Sequence, residues 1–157
     1  MLGLVEFAEP VTPYDLKQFA AMSVQHFWSL PHTQIYTQCD RLTEAGLLSE
    51  KREPGGRRRR LFSTTAAGRA ALDEWRAETG DTYLELRDTG LLKLFFGADP
   101  RALGEEQAVA HSQLLAEYEE IAKLQDAMTG GMRKALQAGI KYEREMVKFW
   151  RDLAKNG

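Results

Sequence analysis

Ser29 to Gly68 reads SLPHTQIYTQCDRLTEAGLLSEKREPGGRRRRLFSTTAAG, and its punctuation sets the expected fold. Ser29 or Thr33 can cap a helix, Pro31 suits a first helical position and Gly46 supplies a stop, which frames about three to four helical turns. Ile35, Cys39 and Leu42 recur at the spacing of one helical face, while Thr33, Gln34, Tyr36, Thr37 and Arg41 lie on the others. Leu47 to Arg52 is a strand candidate, Glu53-Pro54-Gly55-Gly56 a turn, Arg59 to Ser63 the return strand, and Thr65 the cap of a further helix. Helix, strand, glycine turn, strand, helix is the order of a winged helix-turn-helix.

The outward set on this helix is rich in hydrogen-bonding groups without being uniformly charged, which suits base edges and phosphates in a major groove. Residues 51–60 hold Lys51, Arg52, Arg57, Arg58, Arg59 and Arg60, six of the 21 basic residues of a chain whose net charge is −2. Arginines that reach phosphates displace condensed counterions, so such a wing strengthens nucleic-acid binding in a salt-dependent way. A solvated charge run that keeps a hairpin edge soluble is the alternative. Its place at the wing favours DNA.

A chain of 157 residues, 43% hydrophobic and 28% charged, can bury a real core as one domain or two small ones. Near-neutral net charge favours a focused basic site over a diffuse polycation. The single cysteine excludes an internal disulfide framework, and Cys39 shares the apolar face with Ile35 and Leu42, as a buried structural thiol would. MLGLVEFAEP has no positive start or long apolar run, and nothing later approaches a membrane span, so a cytoplasmic protein without membrane contact is expected.

Met1 to Ala8 is a first helix candidate, and Thr12-Pro13-Tyr14-Asp15 opens a second. Tyr14 and Lys17 near its start can meet phosphates, or Tyr14 can pack against the domain body. Phe27-Trp28 is expected in the core, as are Ala71, Leu72 and Trp75 of the helix after the wing. Helices are expected over about Tyr83 to Phe96, Arg101 to Ala127 and Met132 to Ala154, with Thr129-Gly130-Gly131 breaking the last pair. Met132, Leu136, Ile140, Met146, Val147, Trp150 and Leu153 step by threes and fours with Glu143 as the polar interruption, which approximates a heptad seam. Beside a winged helix, such a seam is expected to make a homodimer, since two-fold DNA sites are read by two-fold dimers.

GLVEFAEPVTPYDLKQF, FWSLPHTQIYTQCDRLTEAGLL and GGRRRRLFSTTAAGRAALDEW together resemble the opening helices, recognition helix and wing of PadR-type transcriptional regulators. RDTGLLKLFF resembles the start of the helical C-terminal domain in one branch of that family. The resemblance implies a mainly α chain: a winged helix-turn-helix with an α/β wing hairpin over residues 1–79, then an all-helical dimerisation and effector domain over 80–157. It also implies a small aromatic or drug-like effector, for which Trp75, Phe95, Phe96, Tyr142 and Trp150 are candidate pocket walls, or else plain core.

No GxSxG, HExxH or Walker loop occurs, and His26, His32 and His111 lack metal-ligand spacing with Cys39, so no enzyme, cofactor or metal site is expected. The expected function is a dimeric repressor that binds double-stranded operator DNA through Tyr14, Lys17, Thr33, Gln34, Tyr36, Thr37, Arg41 and Arg57 to Arg60. A winged helix turned to protein binding, its arginines on an acidic partner, is the alternative.

Overall fold

In a computed structural model the chain divides into two compact units, Met1–Tyr83 and Leu84–Gly157. All residues are described except 27, 29, 54–58, 81–86, 125 and 127, and all side chains except those at 26 and 32 as well.

The first unit opens with α1 (Leu2–Ala8) and α2 (Pro13–Ala21), the second of these capped by Thr12, whose hydroxyl oxygen accepts from the Asp15 N–H at 3.2 Å. After a 3-10 turn at Val24–His26 comes α3 (His32–Glu44). Its N-cap is Pro31 with no side-chain cap, so Thr33 lies inside the first turn and does not cap it; Ser29 falls outside the described residues. Gly46 ends α3 at φ 72°, a left-handed conformation that penalises any Cβ. Antiparallel strands β1 (Leu48–Arg52) and β2 (Arg60–Thr64) follow, and Thr65 caps α4 (Ala66–Ala77) by accepting from Gly68 N–H at 3.0 Å. Mainly helical with one two-stranded wing, this unit has the winged-helix order.

Register pairs Leu48 with Thr64, Glu50 with Phe62 and Arg52 with Arg60, which puts these six side chains on one face of the hairpin. On its far side Phe62 exchanges backbone hydrogen bonds of 3.0 and 2.9 Å with Val11, so the other edge of β2 is also satisfied there. Val5, Val11, Leu16, Ala20, Ile35, Cys39, Leu48 and Phe62 form the buried core. Two expected core residues are not in it. Trp28 and Trp75 are each 68% exposed. On α4 the buried positions are Gly68 and Leu72; Trp75 shares their face by spacing but stands a turn further on, next to the helix end at Ala77. Phe27 lies outside the described residues.

The second unit comprises α5 (Thr89–Phe95), α6 (Pro100–Ala122) and α7 (Gly130–Asn156), capped by Asp88, Asp99 and Thr129. The expected start of α5 at Tyr83 lies outside the described residues, and α6 stops at Ala122, short of the expected Ala127. Because Thr129 caps α7, Gly130 and Gly131 open that helix. Gly104 on α6 faces Trp150 and Ala154, and Tyr118 faces Gly139, so the two helices run antiparallel. A Cβ at Gly104 would stand 2.7 Å from the Ala154 nitrogen, so only glycine lets the helices approach this closely. Leu103, Ala108 and Trp150 form the core, with Leu91, Leu94, Met146 and Leu153 against them.

Candidate nucleic-acid interface

α3 presents two unlike faces. Ile35 and Cys39 are buried and Leu42 packs against the same core, whereas Thr33, Gln34, Tyr36, Thr37 and Arg41 are all exposed. The two sets lie on opposite sides of the helix because their spacing differs by about half a turn. The Thr37 hydroxyl donates to the Thr33 carbonyl at 3.2 Å, which leaves its oxygen free to accept outward. Burial, with help from the Asp40 charge, pushes the Cys39 thiol up to about 11, so it stays protonated and inert. At the start of α2, Tyr14 is 61% exposed and Lys17 partly so; Tyr14 is open to a ligand and not packed against the body.

The wing is less uniform than its arginine run implies. Arg59 is exposed, and Arg57 and Arg58 lie outside the described residues. Arg60, expected among the phosphate contacts, is engaged by carboxylates. Its Nη2 donates to Asp40 Oδ1 at 2.5 Å and to Glu50 Oε2 at 2.8 Å, and its Nε donates to Glu50 Oε1 at 3.0 Å. Arg52 Nε adds a 2.8 Å bond to the same Glu50 oxygen. The guanidinium carbon stands 5.0 Å from the centre of the Phe62 ring. Hydrogen bonds from Arg60 and Arg52 hold the Glu50 carboxyl down at about 2. Asp40, Glu50 and Arg52 were absent from the expected set. The signal lay in strand alternation: Arg60 is two residues before buried Phe62 and Glu50 two after buried Leu48, so both turn inward, where a charge needs a partner.

Residues 1–74 match the model of the Transcriptional regulator PadR-like family. The domain over these residues is PadR-like. The Negative transcriptional regulator PadR of Bacillus subtilis is 26% identical over 98 residues, 61% of this chain and 53% of the relative, so the match spans about half of that protein's length. Bacillus subtilis PadR solved with operator DNA matches at a TM-score of 0.83 and 21% identity, covering 98% of this chain and 93% of that one. The same protein solved with p-coumaric acid matches at 0.77 and 21% identity, over 98% and 94% of the two chains. At such identity the structural likeness is one of fold. PadR-like proteins are transcriptional regulators and not enzymes. Among the described residues, no helix is long and apolar enough to cross a membrane.

In its second unit the chain covers much of the expected seam itself. Val147 and Trp150 are buried, and Met132, Leu136, Ile140, Met146 and Leu153 are partly covered. Buried Glu143 meets His111 Nδ1 at 2.5 Å, which satisfies the polar interruption within the chain. The aromatic residues expected around an effector are dispersed. Phe95 and Phe96 are 83% and 77% exposed and meet edge to face at 5.2 Å, Tyr142 is 42% exposed, and Trp150 is fully buried. Trp75 belongs to the first unit.

Proposed function

We propose that the chain is a cytoplasmic repressor that binds operator DNA as a homodimer and is released by a small aromatic molecule. The observation that carries this is the outward face of α3, five exposed polar or aromatic side chains beside a basic hairpin. Thr33, Gln34, Tyr36, Thr37 and Arg41 enter the major groove; Arg57, Arg58 and Arg59 hold the flanking backbone or the adjacent minor groove, and Tyr14 and Lys17 meet phosphates. Repression is supported by the name of the Bacillus subtilis relative, a negative regulator, and DNA binding by that protein's structure with operator DNA.

Two-fold DNA sites call for two copies. In the second unit the exposed apolar side chains Leu92, Phe95, Phe96, Val109 and Phe149, with the partly covered edge of the Met132 to Leu153 stripe, are what a partner would cover. The effector class is supported by p-coumaric acid bound to the Bacillus subtilis protein, and Phe95, Phe96 and Tyr142 are exposed aromatic side chains of the second unit.

The test is fluorescence anisotropy on a duplex that the protein itself enriches from a random-sequence library, against a scrambled duplex, over a salt series. Selective binding that weakens steeply with salt is expected, together with release by p-coumaric acid. Equally weak binding to both duplexes would favour the alternative use of the arginine wing on an acidic protein partner.

A further inference from the structure

We infer that Arg60 is a positioning residue for DNA reading: it locks the wing to the recognition helix through Asp40 and Glu50 and makes no phosphate contact itself. The inference rests on the proposal that α3 and the wing bind DNA.

Three elements converge on one guanidinium. Asp40 comes from α3, Glu50 from β1 and Arg60 from β2, with contacts of 2.5, 2.8 and 3.0 Å. Two donors from one planar fork grip both Glu50 oxygens, and the same Nη2 reaches the helix. The ring of fully buried Phe62 lies beneath the group at 5.0 Å, so the core itself sets where the fork sits. A lysine has the charge but not the fork.

Charge makes the same case. Arg52 and Arg60 face Asp40 and Glu50, two positive groups against two negative ones, so the cluster offers a phosphate no net attraction. Asp40 lies between Tyr36 and Thr37 on one side and Arg41 on the other, and its side chain is 47% exposed. A bare carboxylate there would repel the DNA backbone that its neighbours approach. Its partner Arg60 cancels that repulsion and turns the acid into an anchor for the hairpin. Wing and helix must reach different grooves at once, so a fixed angle between them lowers the ordering cost of binding.

The discriminating experiment is the affinity and salt slope of Asp40→Asn, Arg60→Gln and Arg60→Lys on the self-enriched and scrambled duplexes, with circular dichroism melts as the folding control. Removal of an acid beside DNA strengthens binding on charge alone, whereas loss of the anchor weakens it. Asp40→Asn is expected to bind the enriched duplex about tenfold more weakly with an unchanged salt slope. Arg60→Gln is expected to lose a similar factor with no fall in slope, and the double variant no more than Arg60→Gln alone. Arg60→Lys, which would keep a phosphate contact, is expected to fail as Arg60→Gln does. If Arg60→Gln does not fold, the sign of the Asp40→Asn change decides. An Asp40→Asn protein that binds as well as or better than the wild type, or an Arg60→Gln slope reduced by about one phosphate contact, would overturn the inference while leaving DNA binding intact. A wild type that prefers neither duplex would overturn the DNA proposal and this inference together.

Discussion

α3 and α7 are both amphipathic, yet the molecule uses their faces in opposite ways. α3 sends Ile35 and Cys39 inward and leaves a continuous polar sector in solvent, where Asp40, one of two acids there with Glu44, is tied to Arg60. α7 buries Val147, Trp150 and even Glu143 against its own neighbours, and what stays open is a mixed surface that includes Tyr142 and Phe149 at 42% and 43% exposure. Helical periodicity says that one side of a helix is covered. It does not say which chain supplies the cover.

The largest expected effect strikes at that difference. Trp150→Ala should remove about 3–5 kcal/mol from the second unit, read by denaturant unfolding, and the loss should be the same in dilute and concentrated samples. A loss seen only on dilution would return Trp150 to a subunit seam. On the α3 side, a Cβ at Gly68 would stand 2.1 Å from the Leu47 carbonyl oxygen, just beyond the end of α3. Gly68→Ala should therefore cost about 2–3 kcal/mol, since backbone cannot yield as a side chain does; an unshifted melt would show that α4 can slide.

The Glu50 network gives a smaller and pH-dependent term. Its carboxyl is held at about 2, below its value in the unfolded chain, so the stabilisation is complete above about pH 4.5 and is lost as pH falls toward 2. Glu50→Gln should be about 1–2 kcal/mol less stable than the wild type at neutral pH, allowing for solvent screening, and the gap should close in acid. A gap independent of pH would mean that the network contributes through packing. The smallest effect is expected at Phe95 and Phe96, which are already exposed. Phe95→Ser with Phe96→Ser should change stability by less than about 0.5 kcal/mol while weakening self-association in sedimentation runs. Unchanged association would place the partner elsewhere.

Much of the first unit was legible because its cues are local. Thr12 and Thr65 cap the helices they precede, Gly46 takes the left-handed turn, and the spacing of Ile35, Cys39 and Leu42 alone orients the outward face. The carboxylate partners of Arg60 were not legible because a run of four arginines reads as one patch, whereas alternation along β2 sends neighbours to opposite faces and the Asp40 partner lies 20 residues away. Trp75 has the spacing of the buried face of α4 but is 68% exposed near the end of that helix, because periodicity gives a face and not how far along it the core extends. In the second unit the seven-residue stripe was visible, but the antiparallel packing of α6 that covers Trp150 depends on contacts such as Gly104 against Ala154, far apart in sequence.

The proposed reading of base sequence by the outward face of α3 can be put to a single experiment. Parallel enrichments from one random duplex library, with the wild type and with Gln34→Ala, test it directly. One two-fold-symmetric motif is expected for the wild type, with relaxed preference at a matching position in each half-site for the variant. An identical motif bound uniformly more weakly, or no motif from the wild type, would contradict it.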